Sequence, residues 1–437
     1  MLDQSSQWYK LQYPECFVNE EQRMIQKMFA DFADKEIMPV RDKIDDDVTH
    51  EKIIKPILYK LQVELGCQKS MVPQEYGGDL EMSTIVAGAM KQEQLGRADY
   101  GISMHSAVTD WMWTPAALAY MSPSPTGKAW AKTIFGEFSP AFMGKELKAG
   151  CFNMSEAESA CDIENLTNRG RTVKTTARLE GNEWVINGGK LWASNASVAD
   201  LNVVICNMPP GKGMEHFALI YVPEPWPGVS HGKPEVKCGM FADVNNSTFF
   251  DDVRVPKEWG IQGPEAWALF ANSLCVTMPL NSGHATGILQ GAFDVLLDYT
   301  GQRVVGGKII NQHLHAAMIL GEIASVLMVD RAAYLELAHE YDHMDIYGAW
   351  DTDSMMAKAH AVHAFVTRNT PALILKGMEL MGSYGYVREN HYEKYYRDSA
   401  VTKLVLGGSH IGYFATCRGF YDLDFTSFGP GKLPLPA

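Results

Sequence analysis

Residues 175–208 read TTARLEGNEWVINGGKLWASNASVADLNVVICNM. Apolar and polar residues alternate there, with turn residues at Glu180-Gly181-Asn182 and Asn187-Gly188-Gly189. A period of two punctuated in this way predicts antiparallel hairpins. FALIYVP (217–223) and STFFDDVRVP (247–256) continue the pattern. Both flanks are written in another period. In NEEQRMIQKMFADFADKEIMPV, from Asn19, apolar residues recur at Met24, Ile25, Met28, Phe29 and Phe32, a helical stripe. Asn19 and Gln22 form a capping-box pair, and Pro39 marks a turn or kink. VPQEYGGDL (72–80) reads as a loop, 81–121 as helix, and SPSPTG (122–127) as punctuation. Beyond Gly263 strand signals vanish, and helices are predicted at 264–301, 308–343, 353–381 and 391–405. An α+β chain follows: an all-helical part over 1–148, a β-domain over 149–262, a helical bundle over 263–420 and an irregular tail over 421–437.

The formal net charge of −14 argues against nucleic acid or an anionic membrane as partner. Eight cysteines without a CxxC pair or metal-like spacing read as reduced thiols of a cytoplasmic protein, with no metal site. MLDQSSQWYK lacks the pattern of a signal peptide, and no uninterrupted apolar run reaches the ~18 residues of a membrane span. One stretch remains odd. VTKLVLGGSHI (401–411) places Gly407-Gly408 between apolar residues, where a helix would suffer from them. A close approach of something to the backbone would justify the pair.

Four segments occur in a telling order: CFNMSEAESACD (151–162), INGGKLWASN (186–195), FDDVRVPKEWGIQG (250–263) and ELMGSYGYVRENHYEKYYRDS (379–399). With them the chain resembles the acyl-CoA dehydrogenase family of flavoproteins, from about Phe17 to about Gly419. The resemblance implies an N-terminal helical domain, a central β-barrel or sandwich and a C-terminal four-helix bundle. It also implies FAD at the interface of a homotetramer built as a dimer of dimers, an acyl-CoA substrate, and electron-transfer flavoprotein as the electron partner. By position, Phe152, Met154 and Ser155 would meet the isoalloxazine edge, with Cys161 close by. Trp192 would shield one flavin face, and Ser194 would hydrogen-bond the ring. Arg303 would reach the pyrophosphate across the interface, where a planar guanidinium suits phosphate oxygens. Glu379, Gly382, Ser383 and Gly408 would complete the cofactor site. Gly407 would let the thioester approach the backbone.

The chain departs from that family where the proton is taken. The slot of the usual catalytic glutamate holds Leu406, and the alternative slot on an earlier helix holds Thr277. Cys161 replaces a serine that contacts CoA. Leucine cannot accept a proton, and general-base help is worth about 10²–10⁴-fold. Asp110, in SMHSAVTDWMW, is the leading substitute, with Trp111, Met112 and Trp113 expected to desolvate it; His105 is the second. Family members acting on cyclic acyl-CoA esters use such an aspartate on a more remote carbon. Tyr100, Trp111 and Trp113 suit a ring-shaped acyl group. The expected reaction is FAD-dependent dehydrogenation, or 1,4-elimination, of an alicyclic or bulky acyl-CoA. A redox-neutral lyase or flavin monooxygenase on the same fold, and a catalytically silent subunit, remain open.

Overall fold

In the computed structural model, which describes residues 7–350 and 352–421, helices flank a central sheet on both sides in sequence. The principal helices before the sheet are α1 (Glu20–Phe32), α2 (Ile85–Ala98), α3 (Tyr100–Met121) and α4 (Pro125–Phe142). The strands of the main sheet are β1 (Gly150–Asn153), β2 (Thr176–Glu180), β3 (Glu183–Ser194), β4 (Leu201–Asn207), β5 (Phe217–Pro223), β6 (Val229–His231), β7 (Asn245–Pro256) and β8 (Gly260–Gln262); Val304–Val305 and Lys308–Ile309 pair separately. Then come α5 (Gly263–Gln302), α6 (Leu314–Asp342), α7 (Asp353–Met381), α8 (Tyr392–Ser399) and α9 (Gly408–Tyr421). The strand order is β6-β7-β3-β2-β4-β5-β8, and β1 pairs parallel to β4. The fold is mixed α+β, as expected. The tail beyond Tyr421 lies outside the described residues.

Local chemistry sets the boundaries. The Asn19 side chain accepts from Gln22 N, and Gln22 returns the bond to Asn19 N, so the capping box starts α1. A π-turn at Ala33–Ile37 runs into a 3₁₀ stretch at Met38–Asp46, where Pro39 cannot donate to a helical ladder. Asp99 ends α2 and caps α3 through Ile102 N. Of the apolar stripe predicted on α1, Phe29 and Phe32 are buried, whereas Met24 is 69% exposed. Gln22 and Gln26 take the vacated buried positions, and Gln26 accepts from Tyr9 Oη.

Two turn signals in the hairpin segment behave differently. Gly181-Asn182 does connect β2 to β3. Asn187-Gly188-Gly189 does not turn the chain; β3 passes through it. The register against β7 shifts between Ile186 and Gly188, and a Cβ on Gly188 would stand 2.8 Å from Thr175 Cα. These glycines make a bulge that admits a neighbouring backbone. The helix predicted over 391–405 stops at Ser399. Leu406, Gly407 and Gly408 then take φ of +52°, +75° and +69°, and α9 opens at Gly408. The glycine pair thus introduces a helix instead of interrupting one.

The long helices approach closely because one face of α5 is nearly bare. Cβ atoms on Gly283, Gly287 and Gly291 would stand 2.4, 2.1 and 2.3 Å from the carbonyl oxygens of Ala89, Glu93 and Arg97 on α2. Spacing by four puts all three on one side. Between α2 and α6, the buried Arg331–Glu93 ion pair at 2.5 Å accepts support from Tyr13 Oη at 3.0 Å. Trp113 on α3 packs on Phe135 and Phe142 of α4, and Tyr221 of β5 donates to Met112 O at 2.7 Å. That aromatic seam ties helices to sheet and fixes the rotation of α3.

Candidate functional site

The rotation of α3 decides what the protein presents to a ligand. Ala107, Asp110, Trp111, Thr114, Leu118 and Met121, spaced three and four apart, line a cavity of about 1050 Å³. Lys91 of α2, Thr277 and Asn281 of α5, and Leu404–Leu406 complete other walls. Phe152, Met154 and Ser155 close it from the end of β1, and Trp192 and Ser194 from β3. Small-molecule sites commonly occupy ~300–1,000 Å³, so two sizeable groups can lie here together.

Asp110 lies on this wall beside Trp111, but Met112 and Trp113, also expected to desolvate it, are off the cavity and buried in the core. Lys91 Nζ donates to Asp110 Oδ2 at 2.5 Å and Ser70 Oγ donates to Oδ1 at 2.7 Å. Burial pulls the Lys91 ammonium down, but Asp110 outweighs it and the lysine sits above its ordinary value. Lys91 had no sequence signal beyond its place on a helix. Trp111 stacks on Phe152 with ring centroids 4.5 Å apart and donates from Nε1 to Ser273 O at 3.0 Å. Of the three aromatics expected around the acyl group, Trp111 alone lines the cavity; Tyr100 and Trp113 are buried in cores.

His105 lies five residues before Asp110, which turns it off the cavity wall. It is 4% exposed, its Nε2 has no hydrogen-bond partner, and burial pushes its pKa down to about 4. The ring is held neutral inside the protein.

Leu406 and Thr277, the two positions where a family glutamate would stand, both face the cavity. Leu406 is 8% exposed in a left-handed conformation, which non-glycine residues adopt at a cost of order 1 kcal/mol. Gly407 and Gly408 lie behind Leu406, off the wall. Cys161 is on the wall and exposed.

A second irregularity of β3 positions Trp192. The register against β7 shifts between Lys190 and Ala193, Trp192 takes φ +62°, and its indole is 59% exposed. Ser155 O accepts from Leu191 N at 2.7 Å, which ties the β1 end to the bulge. Beneath them, fully buried Lys190 donates to Glu156 Oε1 at 2.6 Å and to Met154 O at 3.1 Å. Glu156 also accepts from Lys174 N and Thr175 N. Ser194 donates to Asp243 Oδ2 at 2.7 Å, so its hydroxyl is committed within the chain; Asn245 Nδ2 donates to Ser194 Oγ. Burial raises the Asp243 carboxyl, against Lys237 and Ser194, and its Oδ1 has no partner. Nothing in the sequence distinguished Asp243 from a solvated loop aspartate.

Arg303, Glu379, Gly382 and Ser383 are exposed and lie off the cavity. Arg303 and Tyr384 meet there, the guanidinium 5.7 Å from the ring centroid. A single chain therefore splits the residues assigned to the cofactor into a cavity set and a surface set.

The chain matches sequence models of an acyl-CoA dehydrogenase N-terminal domain over 19–130, a middle domain over 151–253 and a C-terminal domain over 267–412. It is 27% identical over 389 residues to cyclohexane-1-carbonyl-CoA dehydrogenase of Syntrophus aciditrophicus, covering 88% of this chain and 93% of that one. It is 28% identical over 410 residues to cyclohex-1-ene-1-carbonyl-CoA dehydrogenase of Geobacter metallireducens, covering 92% and 98%. The structure of butyryl-CoA dehydrogenase from Megasphaera elsdenii superposes with a TM-score of 0.78 at 20% identity, covering 92% of this chain and 98% of that one.

Proposed function

The chain belongs to the acyl-CoA dehydrogenase family, and from that premise we propose that it dehydrogenates an alicyclic acyl-CoA with FAD as cofactor. One observation carries the reading: a hydrocarbon, Leu406, faces the cavity where a proton acceptor would be needed, while a salt-bridged aspartate, Asp110, faces the same cavity from α3. Two relatives named for cyclohexane and cyclohexene thioesters support the ring-shaped acyl group.

The residues fit the flavin. Trp192 offers an exposed flat face on a bulge, Met154 and Ser155 stand beside it, and the cavity holds a planar head group beside a substrate. Phe152, Met154, Ser155, Trp192 and Ser194 would hold it from this chain. Arg303, Glu379, Gly382 and Ser383 are exposed and distant enough to serve a second copy, which makes a homo-oligomer part of the proposal. When bound, FAD supplies the acceptor for a hydride.

The chain's own residues then divide the work. Stacked Trp111 and Phe152 present a flat apolar wall to the ring and keep water from it. Asp110 takes the proton from ring carbon; each carboxylate oxygen keeps a second lone pair after bonding Ser70 and Lys91. Those two donors fix its orientation. Electron-transfer flavoprotein would be the electron partner, and the protein would work in the cytoplasm. No described helix is long and apolar enough to cross a membrane.

Anaerobic mixing of the FAD-loaded protein with cyclohexane-1-carbonyl-CoA, cyclohex-1-ene-1-carbonyl-CoA and butyryl-CoA tests this. A ring thioester should bleach the flavin absorbance and butyryl-CoA should not. Bleaching by butyryl-CoA alone would remove the ring from the proposal. Conversion of a ring thioester without bleaching would replace dehydrogenation by a redox-neutral reaction.

A further inference from the structure

A further carboxyl reaches the cavity from just beyond the segment 151–162. Glu164 ends the short helix Cys161–Glu164 and lines the cavity beside Cys161 and Leu406. Gly407, the residue that follows Leu406, comes close to it: a Cβ there would stand 3.2 Å from Glu164 Oε2. Gly407 is left-handed, and an added Cβ would meet Ile411 Cβ at 3.0 Å as well as Glu164, so the first glycine of the pair is crowded by both an apolar side chain and the chain's own carboxyl. No cation lies within 4 Å of Glu164 among the described ion pairs, so charge neutralisation does not explain its presence. Asp162 on its own turn, Asp353 and His360 on α7 and Arg418 on α9 are the ionisable groups that surround it or share its small rear pocket.

We infer that Glu164 is a further working carboxyl of the cavity, taking the proton from the carbon beside the thioester of a saturated ring, the task a leucine at 406 cannot perform, while Asp110 serves the remote carbon of a ring already unsaturated there. The inference rests on the proposed acyl-CoA substrate. In the step, the C–H bond next to the thioester breaks and its electron pair passes into the thioester as an enolate. An O–H bond forms on Glu164. Reversal returns the proton, so in D₂O the step alone replaces that hydrogen by deuterium without net oxidation. Burial, with Asp162 behind it and Gly407 N–H against it, holds the Glu164 pKa up to about 8. The ionised, proton-accepting form therefore grows as pH rises through that value.

The test uses FAD-loaded protein and cyclohexane-1-carbonyl-CoA in D₂O, reading deuterium at the carbon beside the thioester by mass spectrometry. Wild type should exchange it, with the rate rising between pH 7 and 9. Glu164→Gln should lose about 10²–10⁴-fold while still binding the thioester. Glu164→Gln combined with Leu406→Glu should regain exchange, which excludes misfolding as the cause of the loss. Unchanged exchange in Glu164→Gln overturns the inference, and so does loss that Leu406→Glu fails to restore in a protein that still binds. Flavin bleaching that persists alongside unchanged exchange leaves the dehydrogenase reading standing. A wild type that binds no CoA thioester overturns both.

Discussion

Replacing Lys190 by methionine strips the cation from beneath the loop that carries Met154 and Ser155. Lys190 Nζ and Glu156 Oε1 are 2.6 Å apart, with side chains 0% and 3% exposed. At an effective dielectric near 20 their gross attraction is about 6 kcal/mol. Desolvating two ions offsets several kcal/mol of that. The two partners show the balance: burial pulls the Lys190 ammonium below its ordinary value despite Glu156. Glu156, which burial would raise, is held low by Lys190 and the Thr175 N–H. The intact pair thus adds little net stability, since the lysine bears the burial. Removing one partner is a different matter, because a buried carboxylate is left uncompensated at a cost of about 3–5 kcal/mol. With unfolding entropy near 2.1 cal/mol/K per residue, cooperative unfolding of 437 residues gives about 0.9 kcal/mol/K, so Tm should fall by about 3–5 °C. The deficit has a pH signature. In wild type the depressed Glu156 pKa gives stability present above its unfolded pKa and lost as pH falls through the folded one. In the variant the carboxyl's pKa rises, and acid relieves it. Circular dichroism melts of both proteins at pH 7.5 and 5.5 should show a gap that narrows in acid. A Tm unchanged at pH 7.5, or a gap that widens in acid, refutes the reasoning.

Three further outcomes are expected. Asp110→Asn should lower flavin bleaching by cyclohex-1-ene-1-carbonyl-CoA about 10²–10⁴-fold with FAD retained; an Asp110→Asn protein with wild-type bleaching by it removes Asp110 from the mechanism. Gly287→Ala should destabilise by at least about 1–3 kcal/mol, because its Cβ would meet the Glu93 carbonyl, a backbone group that cannot swing aside; a melt within 1 °C of wild type, on the order of 1 kcal/mol here, contradicts the close α2–α5 approach. Burial lowers His105 and His360 to about 4 and His284 and His363 to about 3. Their folded pKa values lie below the unfolded ~6.5, so the stability they allow above that pH is lost as pH falls, about 2 kcal/mol for each at pH 5. Tm measured from pH 7.5 to 5 should drop steeply below pH 6.5, and a flat profile would show that these rings protonate in the native state.

The order of helices and strands was readable because periodicity records which face of each element is buried, and that face does not depend on partners far along the chain. The outcome at Asn187-Gly188-Gly189 marks the limit. The same glycines that permit a turn also permit a bulge, and only the position of Thr175 across the sheet decides between them. Gly407-Gly408 is the converse case: the pair was legible as a demand for close approach, but one of the groups approaching Gly407, Glu164, sits 243 positions earlier in the chain. For the site, position in quoted motifs led to Trp192, Ser194, Phe152 and Leu406, which the structure gathers around one cavity. Asp110 was found through its residue type, yet its environment was misjudged, since of the neighbours expected to desolvate it only Trp111 shares its wall. Its real neighbours, Lys91 and Ser70, come from elements 19 and 40 residues earlier. A sequence shows which side chains can do proton chemistry. Whether one of them is free to do it depends on counter-charges that the fold alone brings within reach, which is why the ion-paired Asp110 and the unpaired Glu164 have to be tested as separate carboxyls of one cavity.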